Sequence, residues 1–407
     1  MKSFFKNVLT MMSGTLAGQI IIIATMPIIS RIYTPNQFGE YSNVVAIIGI
    51  ISVLTTLKYD TGIAVTKNEE DKKNLIWLSF FINIVISVLV LILLLILSSI
   101  LNIFEIYEIF YIFISILVIG NVQILTNIAT ASGHFKAISI TKFSQSFTQV
   151  LLQLFGYLFH SQTLFLFLGY LIGKTNGIYI LYKTNSFFIK QSKFNKRSFK
   201  KIMIEYKDYP LYGLPSSILN SVSANIVIIL ILYFYGGFYA GIYGLIQRIM
   251  SGPLQLISKS FNSVLFKFTK DNGVEKTKKI YILTNIIIIL FFGIIILFFK
   301  IVNFNLFNIV FGEKWGYANE IFLPLLFMMA LQFTIIPFME LFTVYGKQRV
   351  RLLIDISRMI LLFIVFTIST TYNLIFKDFV IIYSVSMCVF YLLMHLSMFK
   401  LLKSQRE

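Results

Sequence analysis

RIYTPNQFGEYSNVVAIIGIISVLTTLKYDTGIAV, residues 31–65, is the stretch from which the rest of the chain can be read. It opens with a short amphipathic turn, Arg31 to Tyr41, and continues into an apolar run, Val44 to Leu57, long enough to enter a bilayer. It then puts Lys58 and Asp60 where hydrocarbon is expected. A charge at membrane depth costs at least about 2.5 kcal/mol, so each should face a partner or a water-filled cavity. Residues two apart on a helix do not face one another, so the pair is not expected to neutralise itself. Two readings are open. Either the span ends near Leu57 and both charges lie at the interface, or the helix carries them inward, as the apolar GIAV that follows suggests.

The chain around this stretch is of the same kind. Of 407 residues 57% are hydrophobic and 13% charged, with a mean hydropathy of +0.83, and the apolar runs recur too often for a soluble protein. A spanning helix needs about 20 apolar residues. By that measure twelve spans are predicted, at 9–31, 42–65, 75–100, 109–131, 144–160, 163–182, 211–235, 239–263, 280–299, 319–344, 352–371 and 379–399. The fold class is therefore an all-α polytopic membrane protein. The first apolar run exceeds signal-peptide length and has no small-residue cleavage site, so it reads as a retained anchor. Cys388 has no partner for a disulfide, and His134, His160 and His395 lie too far apart in sequence for a metal motif.

A net charge of +18 would suit nucleic acid, but its distribution is explained by the membrane. With the N-terminus inside, 26 of the 35 lysines and arginines fall on the cytoplasmic side. Only Arg31, Lys300, Lys314 and Lys377 fall on the other, as the positive-inside rule requires. Both termini are expected in the cytoplasm. The longest loop, 183–210, is basic and interleaved with Phe187, Phe188, Phe194, Phe199 and Ile202. It reads either as an amphipathic segment on an anionic membrane surface or as a solvated linker. It separates a six-helix bundle at 1–182 from a second at 211–407. FGEYS at 38–42 matches AGIYG at 240–244, pairing Gly39 with Gly241 and Tyr41 with Tyr243 between the first and second span of each half. Six spans per half make this a parallel repeat, for which a binding site at the junction is expected.

Other polar residues lie within the spans. Arg248, Gln255 and Lys259 share one face of the eighth, with Gly252 and with Pro253 interrupting the backbone. Two cations and an amide in a stripe suit a polyanion such as pyrophosphate, unless both cations snorkel to opposite surfaces. Arg351, Asp355 and Arg358 form a further stripe whose opposite charges can offset one another. Glu340, after Pro337, is a lone carboxylate suited either to ion coupling or to an interhelical hydrogen bond. Gln145, Gln149 and Gln153 share a face of the fifth span, while Asn121, Gln123 and Asn127 crowd the fourth. Such groups bind sugar hydroxyls, or glue helices together for roughly 0.6–2 kcal/mol. There is no GxxxxGK[ST] phosphate loop, no nucleophile–base arrangement, no large loop to house polymerase chemistry, and no implied cofactor. A transporter, not an enzyme, is expected.

RIYTPNQFGEYS followed by LKYDTGIAV and a charged turn resembles the start of Wzx-type O-antigen and polysaccharide flippases. These belong to the multidrug/oligosaccharidyl-lipid/polysaccharide exporter (MOP) superfamily, related to the MATE transporters. The pattern lands on Arg31, Tyr33, Thr34, Pro35, Phe38, Gly39 and Tyr41, then on Lys58, Tyr59 and Asp60; Tyr243, Arg248 and Pro253 match a second-half segment. Gly62-Ile63-Ala64 departs slightly from the usual Ala-Ile.

The resemblance implies a flippase of the bacterial inner membrane for undecaprenyl-pyrophosphate-linked oligosaccharide, working beside a polymerase and a chain-length regulator. It implies a cationic cavity lined by Lys58, Arg248 and Lys259, with Arg31 and Gln255, and with Gln145, Gln149 and Gln153 as hydroxyl contacts. Asp60, Glu340 and Asp355 are the ion-coupling candidates. A cation-coupled MATE-like exporter of drugs or metabolites and a membrane glycosyltransferase or polymerase are the competing readings. The first would favour an acidic cavity, and the second lacks a catalytic loop.

Overall fold

The structure is a computed structural model that describes residues 2–66, 68–101, 104–159, 162–191, 196–302 and 305–404. Within the helices, the side chains of residues 2–12, 162, 187–191, 196–198, 253–264, 266–267, 270–272, 302, 343 and 348, including those of Gln255 and Lys259, are not described. Among the described residues the chain is helical throughout, without strands. Nine helices are long and apolar enough to cross a membrane. This follows from the chemistry: a backbone in hydrocarbon must satisfy its own hydrogen bonds, which a helix does within one segment.

The chain packs as two compact units, Met1–Tyr33 with Glu40–Ile229, and Thr34–Gly39 with Leu230–Glu407. The first holds α1 (Lys2–Ile32), most of α2 (Pro35–Ile51), α3 (Tyr59–Val65), α4 (Glu69–Leu101), α5 (Ile106–Ala131), α6 (Phe135–Phe155), α7 (Gln162–Gln191), α8 (Lys196–Glu205) and most of α9 (Leu214–Tyr235). Its core gathers Ile63 of α3, Leu75, Ile76 and Leu78 of α4, and Ile124, Leu125 and Ile128 of α5. The second holds α10 (Gly237–Val302), α11 (Leu306–Phe311), α12 (Ala318–Ile335), α13 (Glu340–Val344), α14 (Gln348–Thr371) and α15 (Phe376–Ser404). One of its apolar clusters forms where Phe292 of α10 meets Leu326 and Phe333 of α12.

Nine of the twelve predicted spans have a counterpart among these membrane-length helices. The other three are helical but differ for identifiable reasons. The fifth is α6, made polar by its glutamines, serines and threonines. The eighth is the first part of α10, whose backbone stays helical through Pro253 and breaks only at Gly273 (φ 74°, ψ −177°), so the expected interruption at the proline is not found. The second is broken in two. Phe199, Ile202 and Tyr206 of α8 and the residues after it follow helical spacing and pack into the core of the first unit. Phe187, Phe188 and Phe194 lie outside the described side chains.

The repeat is visible in each unit taken by itself. Gly39 is the fifth residue of α2 and Gly241 the fifth of α10. In the first unit Tyr41 packs edge-on against Tyr170 of α7, with ring centroids 6.4 Å apart. In the second, Tyr383 of α15 and Tyr243 share a hydrogen bond. The motif tyrosine thus meets a tyrosine on the last membrane-length helix of its own half.

Candidate functional site

The break in the second span is the most unusual local structure. α2 ends at Ile51, residues 52–58 run in successive turns, and α3 restarts at Tyr59. Leu57 (φ 45°) and Lys58 (φ 65°) are both left-handed, a conformation that costs an L-residue roughly 1–2 kcal/mol. Hydroxyls add to the backbone bonds around the break: Ser52 donates to Gly49 O, Thr55 to Ser52 O, and Thr61 to Lys58 O at 2.6 Å, the last two carbonyls also accepting the N–H of the same threonine. This is how irregular backbone is tolerated at membrane depth.

Asp60 is fully buried beside the break. Its Oδ1 accepts from Thr56 Oγ1 at 2.5 Å and its Oδ2 from Asn127 Nδ2 of α5 at 2.7 Å. Among the described residues Lys58 and Asp60 form no ion pair with each other, and the carboxylate is held by neutral donors alone. Of the polar residues crowding the fourth span, Asn127 is the one that explains itself here. α3 is clamped on its other side, where Tyr59 Oη donates to Met203 O at 3.1 Å and Gly62 leaves room for Tyr206 and Tyr209. Tyr206 donates to Thr66 Oγ1 at 2.9 Å, and burial raises its hydroxyl above the ordinary tyrosine range, so it stays a donor. Tyr209 opens a wide π-type turn, Tyr209–Gly213, that leads into α9. Such turns recur at functional sites.

Gln145, Gln149 and Gln153 are all buried, and their amides are committed within the bundle. Gln145 donates to Lys174 O, Gln149 to Tyr41 Oη at 3.3 Å, and Gln153 to Leu166 O and Tyr41 Oη. Tyr33 Oη donates to Gln153 O at 2.6 Å. A Cβ on Gly169 would lie 2.7 Å from Gln153 Cγ, and one on Gly173 would lie 2.8 Å from Gln145 O. Small residues on α7 thus bring α6 close, as in other membrane helix pairs. Of the two roles open to these glutamines in sequence, the geometry found is that of helix glue.

In the second unit Arg248 is half-buried, with its guanidinium 5.7 Å from the centroid of the Phe38 ring. Phe38 in turn meets Trp315 edge-on at 5.8 Å, and both rings are buried. Phe38 of the FGEYS motif and the second-half arginine therefore belong to one stack, a cation–π arrangement that holds a half-buried charge in place. Arg31 is exposed in the last turn of α1.

Glu340 and Asp355 are not lone carboxylates. Glu340 Oε2 pairs with Arg351 Nη1 at 2.9 Å and is partly exposed, which corrects its reading as an isolated group at depth. Asp355 Oδ1 lies 3.4 Å from Arg358 Nη2, and Arg358 donates to Tyr391 of α15. Sequence reasoning missed the polar face of α15, Tyr383, Tyr391 and His395. The available signal was their recurrence at four and eight residues along an otherwise apolar helix.

A sequence profile of a family described as polysaccharide biosynthesis protein matches residues 4–266, more than half of the chain. No curated protein matches the sequence. Among solved structures, the chain is similar to an inward-facing multidrug resistance MATE family transporter of the MOP superfamily. That match has a TM-score of 0.69 and 14% identity, covering 98% of this chain and 99% of the other. It is also similar to a MOP superfamily transporter from Pyrococcus furiosus described as having a binding pocket of reverse polarity (TM-score 0.66, 15% identity, 100% and 96% covered). A Vibrio cholerae MATE transporter matches with a TM-score of 0.62 and 15% identity, over 99% and 97% of the two chains. At these identities the likeness is one of fold: a multi-pass helical architecture.

Proposed function

The chain belongs to the polysaccharide biosynthesis protein family, and from that membership we propose that it is a flippase for lipid-linked oligosaccharide. Its substrate is an undecaprenyl-pyrophosphate-linked O-antigen or capsule repeat unit, moved from the cytoplasmic to the periplasmic leaflet of a bacterial inner membrane. Both termini face the cytoplasm, and the pathway's polymerase and chain-length regulator are its expected neighbours.

The observation that carries this reading is the half-buried Arg248 guanidinium over Phe38, a cation held against an aromatic ring of the motif that carries the resemblance. A cation so placed recognises phosphate by charge-assisted hydrogen bonds. Gln255 and Lys259 continue its helical face seven and eleven residues on, and Lys58 and Arg31 add charge in the first half. These cations are the proposed contacts for the pyrophosphate and any acidic sugars, and the prenyl chain stays in lipid. Transport is by alternating access. Ion coupling, where present, falls first to Asp60, because Glu340 and Asp355 already have cationic partners.

The second reading is a cation-coupled exporter of small molecules. Asp60 favours it, as a fully buried carboxylate with no cation beside it among the described residues. The two readings separate in a flippase-null strain supplied with the matching glycan pathway. Wild type should restore surface glycan, while Arg248→Ala and Lys259→Ala, at matched membrane abundance, should accumulate inward-facing lipid-linked oligosaccharide. Equal rescue by both variants would remove the cationic path. Failure of the wild type, together with raised drug resistance, would favour the exporter.

A further inference from the structure

The span Gly273–Ile301 is among the most apolar in the chain, its most apolar window having a mean hydropathy of 3.0, and most of its side chains are not buried inside the protein. The side chains it does bury include polar ones: Thr277, Tyr281 and Asn285, spaced four apart on one face of α10. A polar face directed inward from an otherwise lipid-compatible helix marks a functional site by default.

Tyr281 meets His395 of α15 through a short hydrogen bond between Oη and Nδ1. The other ring nitrogen, Nε2, lies 2.8 Å from Thr334 Oγ1 of α12. The direction of this chain follows from counting protons. Thr334 has one hydroxyl hydrogen and donates it to Leu331 O at 2.6 Å. Towards His395 it can therefore only accept, so Nε2 carries a hydrogen. In the neutral ring Nδ1 is then the acceptor, and Tyr281 donates to it. One histidine thus ties α10, α12 and α15 together with every proton assigned.

One group in this junction is unused. Asn285, one turn along α10, reaches the Tyr281 hydroxyl with its amide, yet its Oδ1 is buried without a hydrogen-bond partner among the described residues. An orphan acceptor of this kind costs free energy unless another state uses it. We infer that the Tyr281–His395–Thr334 junction is a proton-binding site, with Asn285 Oδ1 as the acceptor that the protonated state requires. A proton from the aqueous phase adds to Nδ1, forming the imidazolium with no other bond broken. Nδ1–H then donates to Tyr281 Oη, and the tyrosine hydroxyl turns to Asn285 Oδ1 after a half-turn of the amide. Nε2–H keeps its bond to Thr334. The direction of donation between α10 and α15 reverses, and a positive charge arrives where three helices meet.

The surroundings permit one such charge. From α10 the ring faces Tyr281, from α12 Thr334, and along α15 its neighbours a turn away are Tyr391 and Phe399. The nearest fixed cation assigned from α14 is Arg358 at Tyr391, and Asp355 lies 3.4 Å from it. Histidine is the side chain suited to taking up a proton near neutrality. The inference stands on hydrogen-bond geometry and does not depend on which substrate is carried.

The test is side-chain nitrogen NMR on the full-length protein in lipid nanodiscs with labelled histidine. The chain has three histidines, and loss of one signal in His395→Gln assigns the ring. Titrated between about pH 8 and 5, wild-type His395 should pass from the Nε2–H tautomer to the doubly protonated ring. Asn285→Leu leaves the neutral chain intact but removes the acceptor the charged one needs. It should lower the doubly protonated population about tenfold at a given acidic pH. Tyr281→Phe should act in the same direction and provides a second reading if the leucine variant does not fold. A ring that stays neutral over the whole range, or one that titrates identically in the folded variants, overturns the proposal.

Discussion

Gly39 and Gly241, the glycines paired by the internal repeat, lie against each other's helix starts. A Cβ added to Gly39 would overlap the carbonyl oxygen of Gly237, and one added to Gly241 would overlap that of Pro35. The relationship is reciprocal because α2 and α10 begin four residues before their own glycine. Each helix therefore places its first carbonyl where the other has no side chain. What looked in sequence like two weak identities is a single packing requirement met twice.

Gly241→Val should accordingly be among the most damaging apolar substitutions in the chain. The obstructing atom belongs to backbone and cannot swing aside, so the cost should reach about 3 kcal/mol, the upper end of overpacking effects. Gly293→Ala is the control, because a Cβ there meets nothing within 4 Å. It should be neutral or stabilising by up to about 1 kcal/mol through helix propensity. Apparent melting temperatures of the two variants in one detergent check this. Similar values for both would show that the glycine contact does not constrain the fold.

Asp60 can be separated into a structural and a coupling role. Asp60→Leu strands the Thr56 and Asn127 donors and should cost about 2–3 kcal/mol. Asp60→Asn keeps the volume, and Asn127 can turn its amide to restore a donor–acceptor pair, so the loss should stay near 1 kcal/mol. If Asp60 couples transport to an ion, Asp60→Asn at matched abundance should export without responding to the cation gradient. A gradient response equal to wild type would leave Asp60 with a structural role alone.

Glu340 should behave differently although it is also a carboxylate in a membrane protein. Its pair with Arg351 is partly exposed, at 38% and 31%. Exposed ion pairs are worth about 0–1 kcal/mol. Glu340→Gln should therefore shift stability by less than about 1 kcal/mol and leave the gradient response of transport unchanged. A loss of coupling in Glu340→Gln greater than that in Asp60→Asn would reverse their order as ion-site candidates.

These contrasts mark which features were legible in sequence. Nine membrane-length helices were readable because hydropathy is a local property, and Lys58 and Asp60 were flagged because a buried charge has a known cost. The form of the break was not readable. Left-handed backbone is signalled by glycine, and here it falls on Leu57 and Lys58. Glu340 looked isolated because its partner Arg351 lies across the turn before α14. Phe199 and Ile202 were read in sequence as part of an amphipathic or a solvated segment, but their packing into the first unit's core was not readable. His395 was passed over because its partners, Tyr281 and Thr334, are 114 and 61 positions away. Directional hydrogen bonds between distant helices leave no periodic trace.

Lys58 is where stability and function should be set against each other. Its positive φ, next to that of Leu57, is backbone strain that glycine would relieve, by about 1 kcal/mol or somewhat more. Lys58→Gly should thus raise the apparent melting temperature while removing one of the proposed substrate-binding charges. Lys58→Asn tolerates the left-handed region better than lysine and also lacks the charge, so it tests the charge without glycine's added chain freedom. If the charge serves the substrate, both variants should be at least as stable as wild type and should restore less surface glycan at equal abundance. Full restoration by both would confine Lys58 to shaping the break. Reduced stability in both would show that the lysine side chain makes a contact that outweighs the strain.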